Sequence, residues 1–525
     1  MTESSEFNPA FNLWTESWIT LERPNGRTER QGIEQALLRA HEFTSIYEPS
    51  PLVVAGIHRL LAAILQDAVD PREAENLLEL WQVEHFPEEI VQRFGERYAE
   101  RFDLFSPDAP FMQSADLPLQ PGKRDKTKSV SYLAPETPAG TEITHYRHGN
   151  QDEHLFCPVC VAGCLVTVPA FATSGGAGIK PSINGVPPIY VLPVGRTLFE
   201  CLCSSLLLPE YQPDVASPEH DIASWTRQPI VERRHERFEV GYLHSLTFPA
   251  RRVRLHPEQI CAHCTRCGQF IEWGVRTMVF QMGESRPRDA PFWFDPFAAY
   301  RLPRGRSKKG VPTPVRPAAG RATWREFSTL FLLQPRSTKN PTRRPSAIDQ
   351  IADLNIGADL ENWSFRCIGM RTDMKAKVFE WVDADLGVPP ALLRDPAGGL
   401  AVDQAIQFAT RCEDVITGVF RQVFRRQAQR GERHRGLKLR MRDDYWASLA
   451  EPFRQFVLTA ADPNRRTAAE LYWSDIVVAQ AQGAFGDAAS AIGDDAASLR
   501  QRVQGERLCH IRLVVKRKEY LPDEP

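Results

Sequence analysis

The chain has 525 residues, of which 42% are hydrophobic, 25% charged and 10% aromatic. This composition is typical of globular proteins and excludes collagen, coiled coils and wholly disordered chains. At about 100 to 200 residues per domain, the length predicts two to four domains. The 64 Lys and Arg residues nearly balance 66 Asp and Glu residues, giving a formal net charge of −2 at pH 7. Any binding to a polyanion must therefore come from local basic clusters.

The pattern of apolar residues favours a soluble protein. No stretch reaches the ~20 consecutive apolar residues that span a bilayer, and the most apolar candidate, from Leu52 to Leu65, is interrupted by His58 and Arg59. The N-terminal sequence MTESSEFNPAFNLW carries acidic residues where a signal peptide has basic ones. We therefore expect a cytoplasmic protein, whose 11 cysteines are thiols or metal ligands rather than disulfides.

The first hundred residues predict a mixed α/β start. Apolar and polar residues alternate on both sides of the Pro-Asn-Gly sequence at residues 24–26, which predicts a β-hairpin. Helical periodicity begins at Ile33. Ser50 and Pro51 form an N-cap and first-turn proline for a second helix, and another helix is predicted after Pro87.

The middle of the chain predicts loops and short strands. Residues 114–156 are rich in Pro, Gly, Lys, Thr and His and lack apolar periodicity, which predicts a long exposed loop. Such a loop is either functional or a flexible insertion, and the sequence leaves both alternatives open. From residue 157 to about 385, short β-like runs alternate with Pro and Gly, without a βαβ rhythm.

The last part of the chain predicts a helical bundle. Its predicted helices cover about residues 399–430, 440–461, 465–488 and 493–518. The expected fold class is therefore α+β: a large mixed α/β domain over residues 1–385, followed by a four-helix bundle over residues 386–525.

Two C-x-x-C motifs predict a zinc site. They consist of Cys157 with Cys160 and Cys264 with Cys267, and a glycine suited to a tight turn follows the second motif. A tetrahedral site needs four ligands, and each motif places two sulfurs on one side of an ion. We therefore expect one structural zinc, with buried free thiols as the alternative. Further ligand types lie nearby at Cys164, Cys261 and His263.

A glycine-rich segment at residues 174–180 reads Ser-Gly-Gly-Ala-Gly-Ile-Lys. It is not a P-loop, because Lys180 is not followed by Ser or Thr. Taken alone, such a segment is more often a flexible turn than an anion-binding site. Residues without a Cβ atom nevertheless let a phosphate backbone approach the main chain closely.

Basic residues are concentrated between residues 301 and 344, where 12 bases occur with the single acid Glu326. A solvated surface usually interleaves charges of both signs, so this asymmetry favours contact with a polyanion. The bases are Arg301, Arg304, Arg306, Lys308, Lys309, Arg316, Arg321, Arg325, Arg336, Lys339, Arg343 and Arg344. A second group of nine bases lies between Arg421 and Arg442.

Catalytic motifs are not found: H-E-x-x-H, G-x-S-x-G and a Walker lysine do not occur. A binding protein is therefore favoured over an enzyme. The alternatives are a stand-alone zinc-ribbon enzyme or regulator acting on nucleic acid, and a purely structural scaffold.

The order of these features resembles a known family. The opening FNLWTESWITLERPNG, the segment APFMQ at residues 109–113, the first C-x-x-C, the glycine segment ending in Lys180, the second C-x-x-C and the terminal helices occur in one chain. This order is similar to that of CasA, the large subunit of the type I-E CRISPR surveillance complex Cascade.

The resemblance implies a non-catalytic subunit that binds CRISPR RNA, double-stranded target DNA and other Cascade subunits. Members of this family test DNA for a protospacer-adjacent motif, help to open the duplex and recruit a helicase-nuclease. Readout through the minor groove suits a permissive short motif, because that groove presents a degenerate pattern.

The resemblance also implies site residues. The implied DNA-binding glycine loop consists of Gly175, Gly176, Ala177 and Gly178, with Lys180 after it. The nearest basic candidate on the following hairpin is Arg276. The implied wedge lies within residues 369–375, where Met374 replaces the glutamine of the family and Asp373 and Lys375 flank it. We expect residues 370–375 to line one minor-groove site together with the glycine loop. An apolar wedge can still unstack a base step. The implied RNA or partner loop contains Thr141, Thr144, His145, Tyr146 and Arg147.

Overall fold

The computed structural model describes residues 9–118, 127–136, 154–174, 178–215, 221–226, 236–303, 310–333, 341–372, 378–425 and 432–522. The chain forms two compact units. The first unit contains Met1–Ala318, Arg343–Gly357 and Ser364–Leu386, and the second contains Ala319–Thr342, Ala358–Trp363 and Gly387–Pro525. The second unit thus includes two segments that precede the predicted boundary at residue 385. The expected α+β class with a helical C-terminal region is confirmed.

The first unit begins with the predicted hairpin. Strand Ile19–Glu22 pairs antiparallel with both Thr28–Gln31 and Ser45–Ile46. The turn between the first two strands contains Gly26, whose φ of +77° lies in the left-handed region that glycine adopts without strain. The helices that follow are Ile33–Leu38, Pro51–Val69, Ala74–Val83 and Glu88–Tyr98.

Helix Pro51–Val69 forms the centre of this unit. It is long and apolar enough to cross a membrane, but 83% of its most apolar window is buried inside the protein. One such helix is weak evidence for a membrane span, because the core helix of a soluble protein can be equally long and apolar. Two of its polar residues have buried partners: His58 Nε2 lies 2.8 Å from Ser205 Oγ, and Arg59 forms a 3.1 Å ion pair with Asp295.

The rest of the first unit is built on short helices and two larger sheets. Its helices are Pro158–Leu165, Val168–Phe171, Leu198–Cys203, Tyr242–Leu246 and Ser346–Leu354. One sheet has the strand order Val378–Val388, Trp363–Thr372, Tyr190–Val194, and the other has the order Thr127–Ser129, Phe270–Met282, Arg251–His263. Shorter strands are Tyr300–Arg301, Thr313–Pro314 and Thr342–Arg343.

Strands Arg251–His263 and Phe270–Met282 form what we call the long hairpin. Strand Thr127–Ser129 pairs with its second strand. The prediction of one exposed loop over residues 114–156 is therefore wrong for residues 127–136, where Val130 and Leu133 are buried. Isolated apolar side chains in so polar a stretch carry little periodicity, and these two follow directly after the strand that pairs with the long hairpin.

The second unit is mostly helical. Its helices are Phe327–Phe331, Pro390–Arg394, Pro396–Val423, Glu432–Ser448, Ala450–Ala460, Arg466–Ser490 and Ala496–Tyr520. The predicted helix over residues 440–461 is two helices, separated at Leu449. Pro452 accounts for the break, because its ring would clash with the carbonyl of Ser448 in a continuous helix and it has no N–H to donate. Five helices, not four, therefore follow residue 395 in the described ranges.

Candidate functional site

The four cysteines of the predicted zinc site converge, although Cys157 and Cys264 are 107 residues apart. Cys157 is the N-cap of helix Pro158–Leu165, and the first turn of this helix carries Cys160. Cys264 and Cys267 lie in the tip of the long hairpin. The four Sγ atoms all lie within 4.8 Å of one another. We call these residues the cysteine quartet.

The spacing within the cysteine quartet fits a tetrahedral metal site. The Sγ–Sγ distance is 3.8 Å between Cys157 and Cys267 and 3.7 Å between Cys160 and Cys264. A tetrahedron with Zn–S bonds of ~2.3 Å has edges of about 3.8 Å. Two backbone amides also donate to sulfur: Cys160 N to Cys157 Sγ at 3.4 Å and Cys157 N to Cys264 Sγ at 3.3 Å. The donor set and its spacing therefore suit Zn²⁺.

The hairpin tip is shaped by its own turn and by the first C-x-x-C segment. Gly268 has a φ of +76° and donates its N–H to the carbonyl of Cys264 at 2.8 Å. Thr265 N donates to the carbonyl of Leu155 at 2.8 Å, and Leu155 N donates to Thr265 Oγ1 at 3.1 Å. Thr265, inside the second C-x-x-C motif, is thus joined to Leu155, two residues before the first motif, by one main-chain hydrogen bond and one hydrogen bond to its hydroxyl.

The four sulfurs of the cysteine quartet shift one another's pKa values. Hydrogen bonds with the Cys157 and Cys160 thiols lower the pKa of Cys264, whereas hydrogen bonds with Cys157 and Cys264 raise the pKa of Cys160. Four adjacent thiolates are compatible only with a bound metal ion, because metal ligation removes the thiol protons.

The other potential ligands do not join the quartet. Cys164 is buried on the helix, and Cys261 is exposed on the long hairpin. His263 places Nδ1 3.0 Å from the carbonyl of Gly268. Within the described ranges, the cysteine quartet is the group of ligand types close enough to hold an ion.

The glycine segment begins and ends at the base of the long hairpin, opposite the tip. The Arg251 guanidinium, only 4% exposed, donates to the carbonyl of Thr173 and, at 2.9 Å, to the carbonyl of Lys180. Lys180 N also donates to Met282 Sδ at 3.2 Å. One buried side chain thus fixes both ends of the segment. Gly178 has a φ of +81°, and the expected contact residues Gly175, Gly176 and Ala177 lie outside the described residues.

The sequence patterns did not predict a role for Arg251. The burial of Arg251 lowers its pKa to about 10, and it forms no ion pair among the described residues. A sequence signal for this basic strand does exist. Basic residues recur in the run Arg-Arg-Val-Arg-Leu-His at residues 251–256. Arg252 and Arg254, 2% exposed each, are buried like Arg251.

Two of the three basic residues expected to contact DNA lie in the described ranges and are ion-paired, Lys180 exposed and Arg276 half-buried. Lys180 Nζ lies 2.8 Å from Glu236 Oε1, and Arg276 Nε lies 2.7 Å from Glu258 Oε1. Arg276 falls at a register shift in the long hairpin, between the pairs His256↔Thr277 and Pro257↔Val275. It is therefore the extra residue of a β-bulge, a feature that commonly re-aims side chains near functional sites.

Comparison with known proteins identifies the family of this chain. The CRISPR-associated protein Cse1 family matches residues 12–484. The curated CasA/Cse1 protein of Thermus thermophilus is 30% identical over 439 residues, which cover 81% of this chain and 80% of that protein. The chain belongs to the CasA/Cse1 family. The resemblance to the large subunit of Cascade is thereby confirmed.

Solved structures show the same fold. The crystal structure of Cse1 from Acidimicrobium ferrooxidans has a TM-score of 0.79 at 21% identity and covers 98% of this chain and 100% of that chain. A chain of a solved CRISPR RNA-guided surveillance complex has a TM-score of 0.71 at 19% identity and covers 96% of this chain and 100% of that chain. The CasA/Cse1 fold therefore extends over nearly the whole protein.

The wedge implied by the CasA/Cse1 resemblance lies only partly in the described residues. Asp373, Met374 and Lys375 are outside them, and so are all five residues of the implied RNA or partner loop, residues 141–147. Met370, which we expected to line the same groove site, is 1% exposed. That part of the expectation is wrong, because strand Trp363–Thr372 buries this side chain in the first unit.

The described bases of the segment over residues 301–344 differ in burial. They belong to both units, and two of them are buried in ion pairs. Arg325 pairs with Glu413 at 3.3 Å, and Arg344 pairs with Asp349 at 2.7 Å. The expectation of a uniform polyanion contact is therefore wrong for these two residues, whose partners come from elsewhere in the chain. Six bases of the segment lie outside the described residues: Arg304, Arg306, Lys308, Lys309, Arg336 and Lys339.

Proposed function

We propose that this chain is the large, non-catalytic subunit of a cytoplasmic RNA-guided CRISPR surveillance complex. In this role it binds CRISPR RNA and other Cascade subunits, recognises a protospacer-adjacent motif in double-stranded DNA and helps to start R-loop formation. It then recruits the helicase-nuclease. Membership in the CasA/Cse1 family and the fold shared with a chain of a surveillance complex support this proposal.

The proposed DNA site is centred on the long hairpin. The observation that carries it is the position of two basic residues: the backbone N of Lys180 contacts Met282 at the hairpin base, and Arg276 lies six residues before Met282 on the same strand. At ~3.4 Å per residue the two positions are about 20 Å apart. This span is shorter than one helical turn of DNA, ~34 Å, so both residues can reach one duplex.

The glycine segment would let the DNA approach the main chain closely at this site. A minor groove about 6 Å wide admits residues without bulky side chains, and Gly175 and Gly176 have none. Arg251 contributes by holding the two ends of the segment together. In the proposed mechanism the loop and cations bind the motif duplex, and the segment around Met374 unstacks the adjacent base step.

The zinc proposed for the cysteine quartet is structural. All four ligands are supplied by the protein, so such a site has no open position for substrate. When bound, the ion would hold the tip of the long hairpin against helix Pro158–Leu165.

The experiment that tests the proposed function is purification of the tagged full-length chain together with the products of its native operon. We expect it to co-purify with CRISPR RNA and partner subunits and to bind motif-containing duplex. A chain that is monodisperse, free of RNA and active alone on nucleic acid would contradict the proposal.

Replacing Met374 by alanine tests the wedge. We expect duplex opening to slow by about tenfold, while affinity for the motif duplex stays nearly unchanged, because a wedge unstacks bases but adds little initial contact. R-loop formation and duplex affinity are measured separately on the assembled complex. Opening at the wild-type rate would show that Met374 is not the wedge.

Reversing the charge of Arg304, Arg306 and Lys308 to glutamate tests the remaining basic segment. We expect weaker association with nucleic acid or an RNA-bearing partner, with a salt dependence reduced by about one unit of slope for each phosphate that is no longer bound. The matched control reverses Arg27, Arg72 and Arg93, three exposed arginines elsewhere in the chain. An unchanged affinity and an unchanged salt dependence would show that the segment faces solvent and does not contact nucleic acid or an RNA-bearing partner.

A further inference from the structure

Each cation of the proposed DNA site has an exposed glutamate as its partner. The side chains of Lys180 and Glu236 are 52% and 51% exposed, and those of Arg276 and Glu258 are 31% and 44% exposed. The distances, 2.8 Å and 2.7 Å, are those of direct ion pairs. The two carboxylates therefore occupy the positions that phosphate oxygens would take on these cations.

The structure holds Glu236 beside Lys180 although 56 residues separate them. Glu236 forms a parallel bridge with Ser285, and Arg237 N donates to the carbonyl of Ser285 at 2.9 Å. Arg237 in turn donates from Nε to the buried carboxylate of Glu284 at 2.9 Å. The backbone of Glu236 is thus anchored beside residues 284 and 285, which keeps its carboxylate next to Lys180.

Glu258 is held beside Arg276 by the long hairpin itself. Glu258 is paired with Gly274 on the opposite strand, two residues from Arg276. Residues in diagonal positions of an antiparallel ladder are within reach of long side chains. The β-bulge at Arg276 therefore presents this cation with a carboxylate from the same sheet.

These pairs contribute little to stability, because exposed ion pairs are strongly screened by water and salt. The main effect of these ion pairs is on ligand binding. A phosphate that binds Lys180 or Arg276 must either share the cation with this carboxylate or replace it, and sharing brings two anions close together. The pairs also limit the attraction of this site for any duplex, in a chain whose net charge is −2.

We propose that Glu236 and Glu258 compete with DNA phosphates for Lys180 and Arg276. This inference rests on the proposed function. The competition lowers affinity for every duplex and shortens the residence time on DNA without the motif. Stable binding then requires the additional contacts that only the motif offers.

The test is substitution of each glutamate by glutamine in the full-length chain assembled with its RNA-bearing partners. We expect Glu236→Gln and Glu258→Gln each to raise the affinity for motif-free duplex by about two- to fivefold at low salt, through slower dissociation. The gain should shrink at high ionic strength. The matched control is Glu451→Gln, which removes the same charge from an exposed pair with Arg454 on helix Ala450–Ala460.

A double-mutant cycle makes the test specific. In the Lys180→Ala background, Glu236→Gln should no longer change duplex affinity, because the cation it competes for is absent. An equal gain in duplex affinity in both backgrounds, or an equal gain in Glu451→Gln, would overturn the inference. Either result would show that removing any exposed carboxylate raises duplex affinity. Unchanged duplex affinity in Lys180→Ala itself would instead overturn the proposed DNA site, so the two failures are distinguishable.

Discussion

Replacing Cys264 by serine will destabilise the first unit by several kcal/mol, on the order of 3–5. The change leaves three thiol ligands, so the proposed zinc would be lost and would no longer join segments 107 residues apart. The second unit contains none of the four ligands and should stay folded. Thermal unfolding by circular dichroism, limited proteolysis and zinc analysis by mass spectrometry measure these effects.

Cys261→Ser is the matched control for this prediction. Cys261 lies on the same hairpin but is exposed and outside the cysteine quartet. It should retain one zinc per chain and wild-type stability. Well under one zinc per wild-type chain, or a Cys264→Ser variant as stable as the Cys261→Ser variant, would disprove the structural zinc.

Replacing Gly176 by aspartate should reduce affinity for motif-containing duplex by about 100-fold or more. The substitution places a carboxylate against phosphates, and an unfavourable pairing of like charges costs several kcal/mol. Assembly with the RNA-bearing partners should be unchanged. Duplex affinity by anisotropy and complex formation by size-exclusion chromatography separate the two effects.

The matched control for Gly176→Asp is Gly483→Asp. Gly483 is exposed on helix Arg466–Ser490, and a Cβ added there meets nothing within 4 Å. This variant has the same change in charge and composition, and it should bind duplex like the wild type. Normal binding of motif DNA by Gly176→Asp would show that the glycine segment is not the recognition site.

Features set by short spacing could be predicted from the sequence. The turn at residues 24–26 formed its hairpin, Pro51 began a helix, and both C-x-x-C motifs formed the expected pairs of ligands. In each case the conformation depends on residues within a few positions of one another, so composition and periodicity were sufficient. The helix break near Pro452 was also encoded locally, but apolar periodicity across it concealed the break.

By itself, then, the sequence determined the α+β class, the helical C-terminal region, the ligand types of the cysteine quartet and the family resemblance. Only the tertiary structure decided which charges meet. Arg325 reads as part of a basic cluster, yet Glu413, 88 residues away, neutralises it in the interior. Lys180 reads as an available cation, yet Glu236 is its partner. The physical reason is that a charge is balanced by whatever the fold brings within about 4 Å, and that neighbour is independent of separation along the chain.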